Sequence, residues 1–196
     1  MSKAHKITSL ITFVCFLVLS FASAQQNSAN ASSNNGLSAQ DRQFLEHMAK
    51  DSQGEVQLAR MVQAKTNDPH VKEFTQRMID DHTALDQQIR QVMSKHGMSM
   101  PAPMTVEQQQ LQKKLQGLSG QQLDRAFMEA QVKGHEEDVQ KVSPEAQRDS
   151  QLLPKDPAVA ELAKEAKPVL QEHLQLARQV ASQVGANTNA QSAEAR

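Results

Sequence analysis

The chain has 196 residues, of which 38% are hydrophobic and 22% charged, which is enough for one domain with a substantial core. Its formal net charge of -1 and its aromatic content of 3% provide neither a basic surface nor stacking platforms, so nucleic-acid binding is not expected. The single cysteine, Cys15, lies in an N-terminal apolar run, so the remainder of the chain has no thiol for a disulfide, a metal or a nucleophile.

Residues 1–24 have the pattern of a cleaved secretory signal peptide. A basic start precedes the apolar run Ile7–Leu19, and the small-residue sequence Ala22-Ser23-Ala24 follows it. The apolar run is too short to span a bilayer comfortably, so no transmembrane anchor is expected after cleavage. We therefore predict an exported bacterial protein, periplasmic or extracellular, with outer-membrane association left open.

Two polar segments flank the predicted domain. Residues 25–36 and 186–196 consist mostly of Asn, Ser, Ala and Gln and have almost nothing to bury. We predict a disordered linker and a disordered tail there. The domain itself is expected to span residues 37–185.

The first half of this domain predicts an antiparallel helical hairpin. One helix runs from its cap Ser38 to about Thr66, and the next begins at Asp68-Pro69 and ends at Gly97. A three-residue turn between long helices makes neighbouring helices antiparallel.

The second half repeats this pattern after a crossover. A short helix capped by Thr105 lies in the crossover, which is long enough to run the length of the hairpin. A third long helix begins near Ser119, and Pro144 either kinks or ends it; we favour a kink, with the helix resuming to about Ser150. A fourth helix runs from Asp156-Pro157 to Gly185. The expected fold is all-α, a four-helix bundle with a short extra helix between helices two and three.

Each long helix places one ionisable residue within its apolar stripe: Glu55, His82, His135 and His173. At about 1.5 Å per residue, Glu55 and His82 both lie roughly 16 to 20 Å from the first turn, and the other two also fall near mid-bundle. Three imidazoles and one carboxylate at one level suit zinc, iron, manganese or copper, with Asp81 as a weaker candidate ligand. The alternatives are a small-ligand pocket and a hydrogen-bonded polar network without metal.

Two further clusters lie outside this level. The crossover carries a thioether-rich patch that suits Cu(I), although methionines there also serve to fill gaps: His96, Met98, Met100 and Met104. Glu136, Glu137 and Asp138 follow His135 and are expected to form an exposed charged face, with the alternative that one of them orients the imidazole.

Three short stretches resemble an exported bacterial family of unknown function, DUF4142. They are Asp80-Asp81-His82, Gln131-Val132-x-x-His135 and the segment from Lys167 to Leu174 that carries Pro168 and His173. The resemblance covers roughly Leu37 to Val184 and implies a ferritin-like bundle, but it implies no established activity.

Di-iron chemistry of the ferritin type is not expected. Such centres use Glu-x-x-His on two helices, but Ile79 precedes His82 by three residues and Leu170 precedes His173 by three. We predict an envelope protein that binds a metal ion or small ligand at the mid-core cluster. The alternatives are a non-catalytic interaction or stress-protection module, with homo-oligomers left open, and a metal-dependent redox enzyme.

Overall fold

The computed structural model describes residues 36–147 and 156–187. These residues form five helices and no strand: α1 (Ala39–Gln63), α2 (Pro69–Lys95), α3 (Val106–Gln116), α4 (Gly120–Gln147) and α5 (Pro157–Gln183). The predicted all-α bundle with a short crossover helix is therefore confirmed. The predicted signal peptide, and nearly all of the predicted linker and tail, lie outside the described residues.

Local capping signals determine where the helices begin. The Asp68 side chain accepts hydrogen bonds from the backbone amides of His70 and Val71, and proline occupies the first helical position. Asp156 does the same at the start of α5. At α3, Thr105 and Gln108 form a reciprocal capping box. Helix α4 continues through Pro144, as predicted.

The four long helices pack side by side in the order α1, α2, α5, α4. Helix α1 packs against α2, α2 against α5, and α5 against α4, while α3 packs against both α1 and α4. His96 Nε2 at the end of α2 lies 3.1 Å from Asp156 Oδ2 at the start of α5. At the other end of the bundle, Arg125 Nε near the start of α4 donates to the Val184 carbonyl at 2.8 Å. The crossover therefore runs the length of the bundle, while the ferritin-like relationship stays a prediction.

Two hydrophobic clusters fill the bundle. One contains Phe74 and Phe127, whose rings meet edge to face with centroids 6.1 Å apart. The other contains Leu45 and Ile89. On all four long helices, the residues between these clusters form a buried polar layer: Ser52, Glu55, His82, Gln131, His135 and His173. The predicted level of ionisable residues thus coincides with a break in the apolar core.

Candidate metal centre

Three histidines from three helices meet in the polar layer. His82 on α2, His135 on α4 and His173 on α5 are each 1% exposed. Their ring centroids are 6.0 Å apart for His82 and His135, 5.2 Å for His82 and His173, and 5.4 Å for His135 and His173. One nitrogen from each ring lies within 4.8 Å of the other two. The helix positions inferred from the sequence thus bring these three side chains together.

Acceptors on the protein determine which nitrogen of His135 and His173 carries the proton. His135 Nδ1 lies 2.9 Å from the Gln131 carbonyl oxygen, which can only accept, so Nδ1 is the protonated nitrogen. His173 Nε2 lies 2.9 Å from Asp81 Oδ2 and donates to that carboxylate. The lone pairs of these two rings are consequently at His135 Nε2 and His173 Nδ1.

Ser52 determines the proton position on the third ring. Its hydroxyl donates to the His82 carbonyl at 3.2 Å, so its oxygen accepts from His82 Nδ1, also at 3.2 Å. The hydroxyl has a second acceptor within reach in the Asp86 carboxylate. The lone pair of His82 is therefore at Nε2.

The three lone-pair nitrogens are buried without a protein partner. His82 Nε2, His135 Nε2 and His173 Nδ1 have no hydrogen-bond partner among the described residues. Since one nitrogen per ring lies within 4.8 Å of the others, a point exists about 2.8 Å or less from each, and shifts of about 0.7 Å reach the ~2.1 Å of a metal–nitrogen bond. Neutral imidazoles with the opposite nitrogen hydrogen-bonded are the form in which histidine binds metals. These residues fit a three-histidine metal site.

Burial lowers the pKa of two of the imidazoles, those of His82 and His173, and so favours their neutral form. It holds the pKa of His82 well below its usual range, and the neighbouring His135 and His173 lower it further. Burial also lowers the pKa of His173, although the hydrogen bond to Asp81 works in the opposite direction. Both rings thus retain their lone pairs at and somewhat below neutral pH.

Asp81 contacts a histidine and lies at the edge of the bundle. It accepts from His173 and from Arg77, and Arg77 Nη2 also lies 3.1 Å from Glu172 Oε1 on α5. Burial raises the pKa of Asp81, but the hydrogen bonds from His173 and Arg77 outweigh it and place the pKa below its ordinary value. Asp81 is therefore an anionic partner that orients His173, and it is not among the residues that converge with the three rings.

Glu55 lies in the polar layer but does not join the three histidines. The group whose candidate ligand atoms meet within 4.8 Å contains His82, His135 and His173 without Glu55. Glu55 Oε2 accepts from Gln131 Nε2 at 2.7 Å, and Oε1 accepts from Gln108 Nε2 at 3.2 Å. Two amide donors, one from α4 and one from α3, thus hold the carboxylate away from the rings. Glu55 is linked to the site through Gln131, whose carbonyl binds His135.

A cavity of ≈ 510 Å³ lies next to the polar layer, between α1 and α4 and beside α3. Asp51, Glu55, Gly134 and Asp138 contribute to its wall, and we call it the acidic cavity. Burial raises the pKa of Asp51 well above its usual range and that of Asp138 to about 6, and these two carboxyl groups hydrogen-bond each other. The expectation of an exposed face at residues 136–138 is wrong for Asp138, which is 7% exposed because it faces α1 and the cavity.

The methionines of the crossover pack into the core. Met98 and Met100 contact the hydrophobic cluster that contains Leu45, whereas Met104 belongs to the cluster that contains Phe74. His96 lies beside Asp156. This distribution is the gap-filling arrangement, and the patch as a copper site stays an untested prediction.

Sequence patterns indicated only weakly which residues hydrogen-bond to the imidazoles and to Glu55. Ser52 was visible as a polar residue in an apolar stripe, and Gln131 as part of the Gln131-to-His135 spacing. Gln108 was visible only as a helix cap, because its contacts with Asp51 and Glu55 depend on where α3 packs.

Within the described ranges, no helix is long and apolar enough to cross a membrane. Two crystal structures of DUF305 proteins share the fold. One, from Streptomyces coelicolor, for which secretion has been suggested, has a TM-score of 0.62 and 14% identity and covers 76% of this chain and 95% of its own. The other, a fragment from Deinococcus radiodurans, has a TM-score of 0.63 and 17% identity and covers 75% of this chain and 98% of its own.

A search of curated proteins found no match. The model of a domain of unknown function, DUF4142, matches residues 26–180, which is well over half of the chain and includes all three histidines. This protein therefore belongs to the DUF4142 family.

Proposed function

We propose that this protein is exported to the bacterial envelope and binds one transition-metal ion through His82, His135 and His173. The observation that carries the proposal is the set of three buried lone-pair nitrogens, each without a partner in the part of the chain that the structure describes and each on a ring whose other nitrogen is hydrogen-bonded. A polar network without metal would use those nitrogens in hydrogen bonds between the rings or to other side chains.

The surrounding charges support a divalent cation. Three neutral imidazoles leave the +2 charge of the ion uncompensated in a buried site, which is unfavourable without nearby anions. Asp81 is hydrogen-bonded to His173, and Glu55 is linked to His135 through Gln131. These two carboxylates balance the charge without binding the ion directly.

The donor set favours zinc or copper over manganese. Imidazole nitrogen suits zinc, copper and iron, whereas manganese prefers oxygen ligands, and divalent copper and zinc bind nitrogen sites most tightly in the first-row series. Three protein ligands leave at least one coordination position for water or another small molecule. Export is supported by the N-terminal sequence pattern and by the suggested secretion of the Streptomyces DUF305 protein.

The test is metal stoichiometry of untagged protein. After removal of metal with a chelator, titration with Zn²⁺ and with Cu²⁺ followed by calorimetry is expected to give one equivalent bound. His135→Ala and His173→Ala are expected to abolish this binding while circular dichroism shows unchanged helicity. His70→Ala, at an exposed histidine of α2, is the matched control and retains binding. One equivalent bound by both cluster variants would refute the proposal, and no binding by the wild type would leave the polar layer as a structural feature.

A further inference from the structure

Resting on the proposed metal site, we propose that the acidic cavity is a second cation-binding site, through which a divalent metal ion reaches and leaves the histidines. The three rings come from α2, α4 and α5, so the side of the cluster without a ring faces α1. The acidic cavity lies between α1 and α4, beside α3.

The seam between α1 and α4 is the least closed side of the bundle. Direct packing between these two helices is sparse, and α3 contacts both of them. Gln108 attaches α3 to α1 by hydrogen bonds to the Asp51 carbonyl at 3.1 Å, to Asp51 Oδ1 at 2.8 Å and to Glu55 Oε1 at 3.2 Å. A cavity of ≈ 510 Å³ remains between them, which is ample for a hydrated ion.

The wall of the cavity is charged to attract a cation. Five acidic and two basic residues line it, and both lysines, Lys133 and Lys141, lie within 4.0 Å of Glu137. Carboxylates in a recess raise the local concentration of cations and accelerate their association. Even with one proton held between Asp51 and Asp138, the carboxylates outnumber the lysines, and the net negative charge of the wall suits a metal ion and disfavours an anion.

Hydrogen bonds through Gln131 link the cavity wall to the histidine cluster. Glu55 lines the cavity and accepts from the Gln131 side chain, while the Gln131 carbonyl accepts from His135. Gln131 Oε1 is buried and has no hydrogen-bond partner among the described residues. Gln131 thus connects the carboxylate in the cavity wall with His135, and its unused amide oxygen is a further oxygen ligand next to that carboxylate.

The opposite seam, between α2 and α5, offers a competing path. A groove of ≈ 330 Å³ there is lined by Asp81 and Ala84. Arg77 pairs with both Asp81 and Glu172 across this seam, so the Asp81 carboxylate is already engaged by a guanidinium as well as by His173. The groove therefore offers a cation fewer carboxylates than the acidic cavity does.

Matched substitutions distinguish the two seams. A Cβ atom at Gly134 meets nothing within 4 Å, and Gly134 lines the acidic cavity, so Gly134→Leu adds bulk at the cavity wall. Ala84→Leu adds the same kind of bulk to the groove between α2 and α5. Co²⁺ is the probe, since its binding to nitrogen ligands is followed by visible absorption in stopped-flow mixing, and release is followed by adding a chelator.

Gly134→Leu is expected to slow Co²⁺ uptake and release by the same factor, about tenfold, and to leave Kd unchanged, because it obstructs the path and not the site. Ala84→Leu is expected to change neither rate. Unchanged rates in Gly134→Leu, or slower rates only in Ala84→Leu, would overturn the proposed path. Failure of the wild type to bind Co²⁺ would instead refute the metal site itself.

Glu107→Gln, in the wall of the acidic cavity, provides a second measurement that does not depend on bulk, because the lowered pKa of Glu107 keeps this carboxylate ionised. Removing this carboxylate is expected to lower the uptake rate about threefold at low salt and to weaken its dependence on ionic strength. Asp80→Asn removes an exposed carboxylate of α2 outside the cavity and is expected to leave the uptake rate unchanged. Equal effects of the two substitutions would show that overall charge, and not the cavity, attracts the ion.

Discussion

Gly54 of α1 lies against the Gln108 side chain of α3, and Gly54→Ala tests this contact. A Cβ atom at residue 54 would lie 2.6 Å from Cδ and 2.9 Å from Nε2 of Gln108, so the Gln108 side chain has to leave. Its departure breaks the hydrogen bonds to Asp51 and Glu55 and the side-chain half of the Thr105 capping box.

The expected change in unfolding free energy is the difference between two effects. Losing the hydrogen bond to the Glu55 carboxylate costs about 1.5–3 kcal/mol, and the bond to Asp51 and the capping contact add about 1 kcal/mol. Alanine in place of glycine in a helix interior returns about 1 kcal/mol. We therefore expect Gly54→Ala to destabilise the protein by about 2 kcal/mol in urea unfolding.

The sign of the effect is expected to reverse when Gln108 is truncated first. In a Gln108→Ala background the clash is absent, so Gly54→Ala should stabilise by about 1 kcal/mol through helix propensity alone. Gly134→Ala, where the new methyl group meets open space, is the matched control and should also stabilise. Amide hydrogen exchange in α3 should accelerate in Gly54→Ala and in Gln108→Ala, which lose the same hydrogen bonds, but not in Gly134→Ala. The same free-energy change in both backgrounds would refute the assigned contact.

Three further predictions concern the polar layer and the core. Asp81→Asn removes the anionic partner of His173 and is expected to weaken Zn²⁺ binding about 10–100-fold in chelator competition; an unchanged Kd would contradict this role. The pKa of His82 is lowered on folding, so the unfolded state binds more protons than the folded state as pH falls through 6.5, and metal-free wild type should lose stability below that pH. His82→Gln should flatten this dependence of the unfolding free energy on pH in urea titrations. The raised pKa of Asp138 acts in the opposite direction in both proteins. Phe127→Ala is expected to cost about 3–5 kcal/mol, and a loss below about 1 kcal/mol would contradict its place in the core.

The helices and the level of the histidines were predictable because their causes are local. Asp68-Pro69 and Asp156-Pro157 cap the N-termini of α2 and α5 through contacts with residues at most three positions further along the chain. The spacing of apolar side chains along a helix then determines which of its faces is buried. Counting residues from these caps gives the position of each residue along its helix axis, and this is why the level of His82, His135 and His173 could be inferred from their spacing.

The position of the Glu55 side chain was not predictable in the same way. The helical pattern placed Glu55 in the stripe, and the structure buries it there, but the direction of its carboxylate depends on donors from Gln108 and Gln131. Likewise the sequence around Asp138, with Glu136 and Glu137 before it, predicts a charged exposed face. Its burial depends on how α1 and α3 pack beside it. Contacts between distant segments, with no counterpart in local periodicity, decide both cases.

The polar layer is an unfavourable way to fill a helical bundle unless a ligand completes it. Each buried nitrogen without a partner costs about 1–3 kcal/mol, whereas a leucine at the same position would add apolar burial. A metal ion that binds only the folded state recovers this free energy, with about 2.7 kcal/mol gained at a concentration about 100 times Kd. The hydrogen bonds from Ser52, Gln131 and Asp81 would be needless for packing, yet together they direct all three lone pairs into the interior. The rings are thus oriented in the metal-free protein, so binding of the proposed ion would require little rearrangement, and the free energy of coordination would go into affinity and into the stability of the bundle.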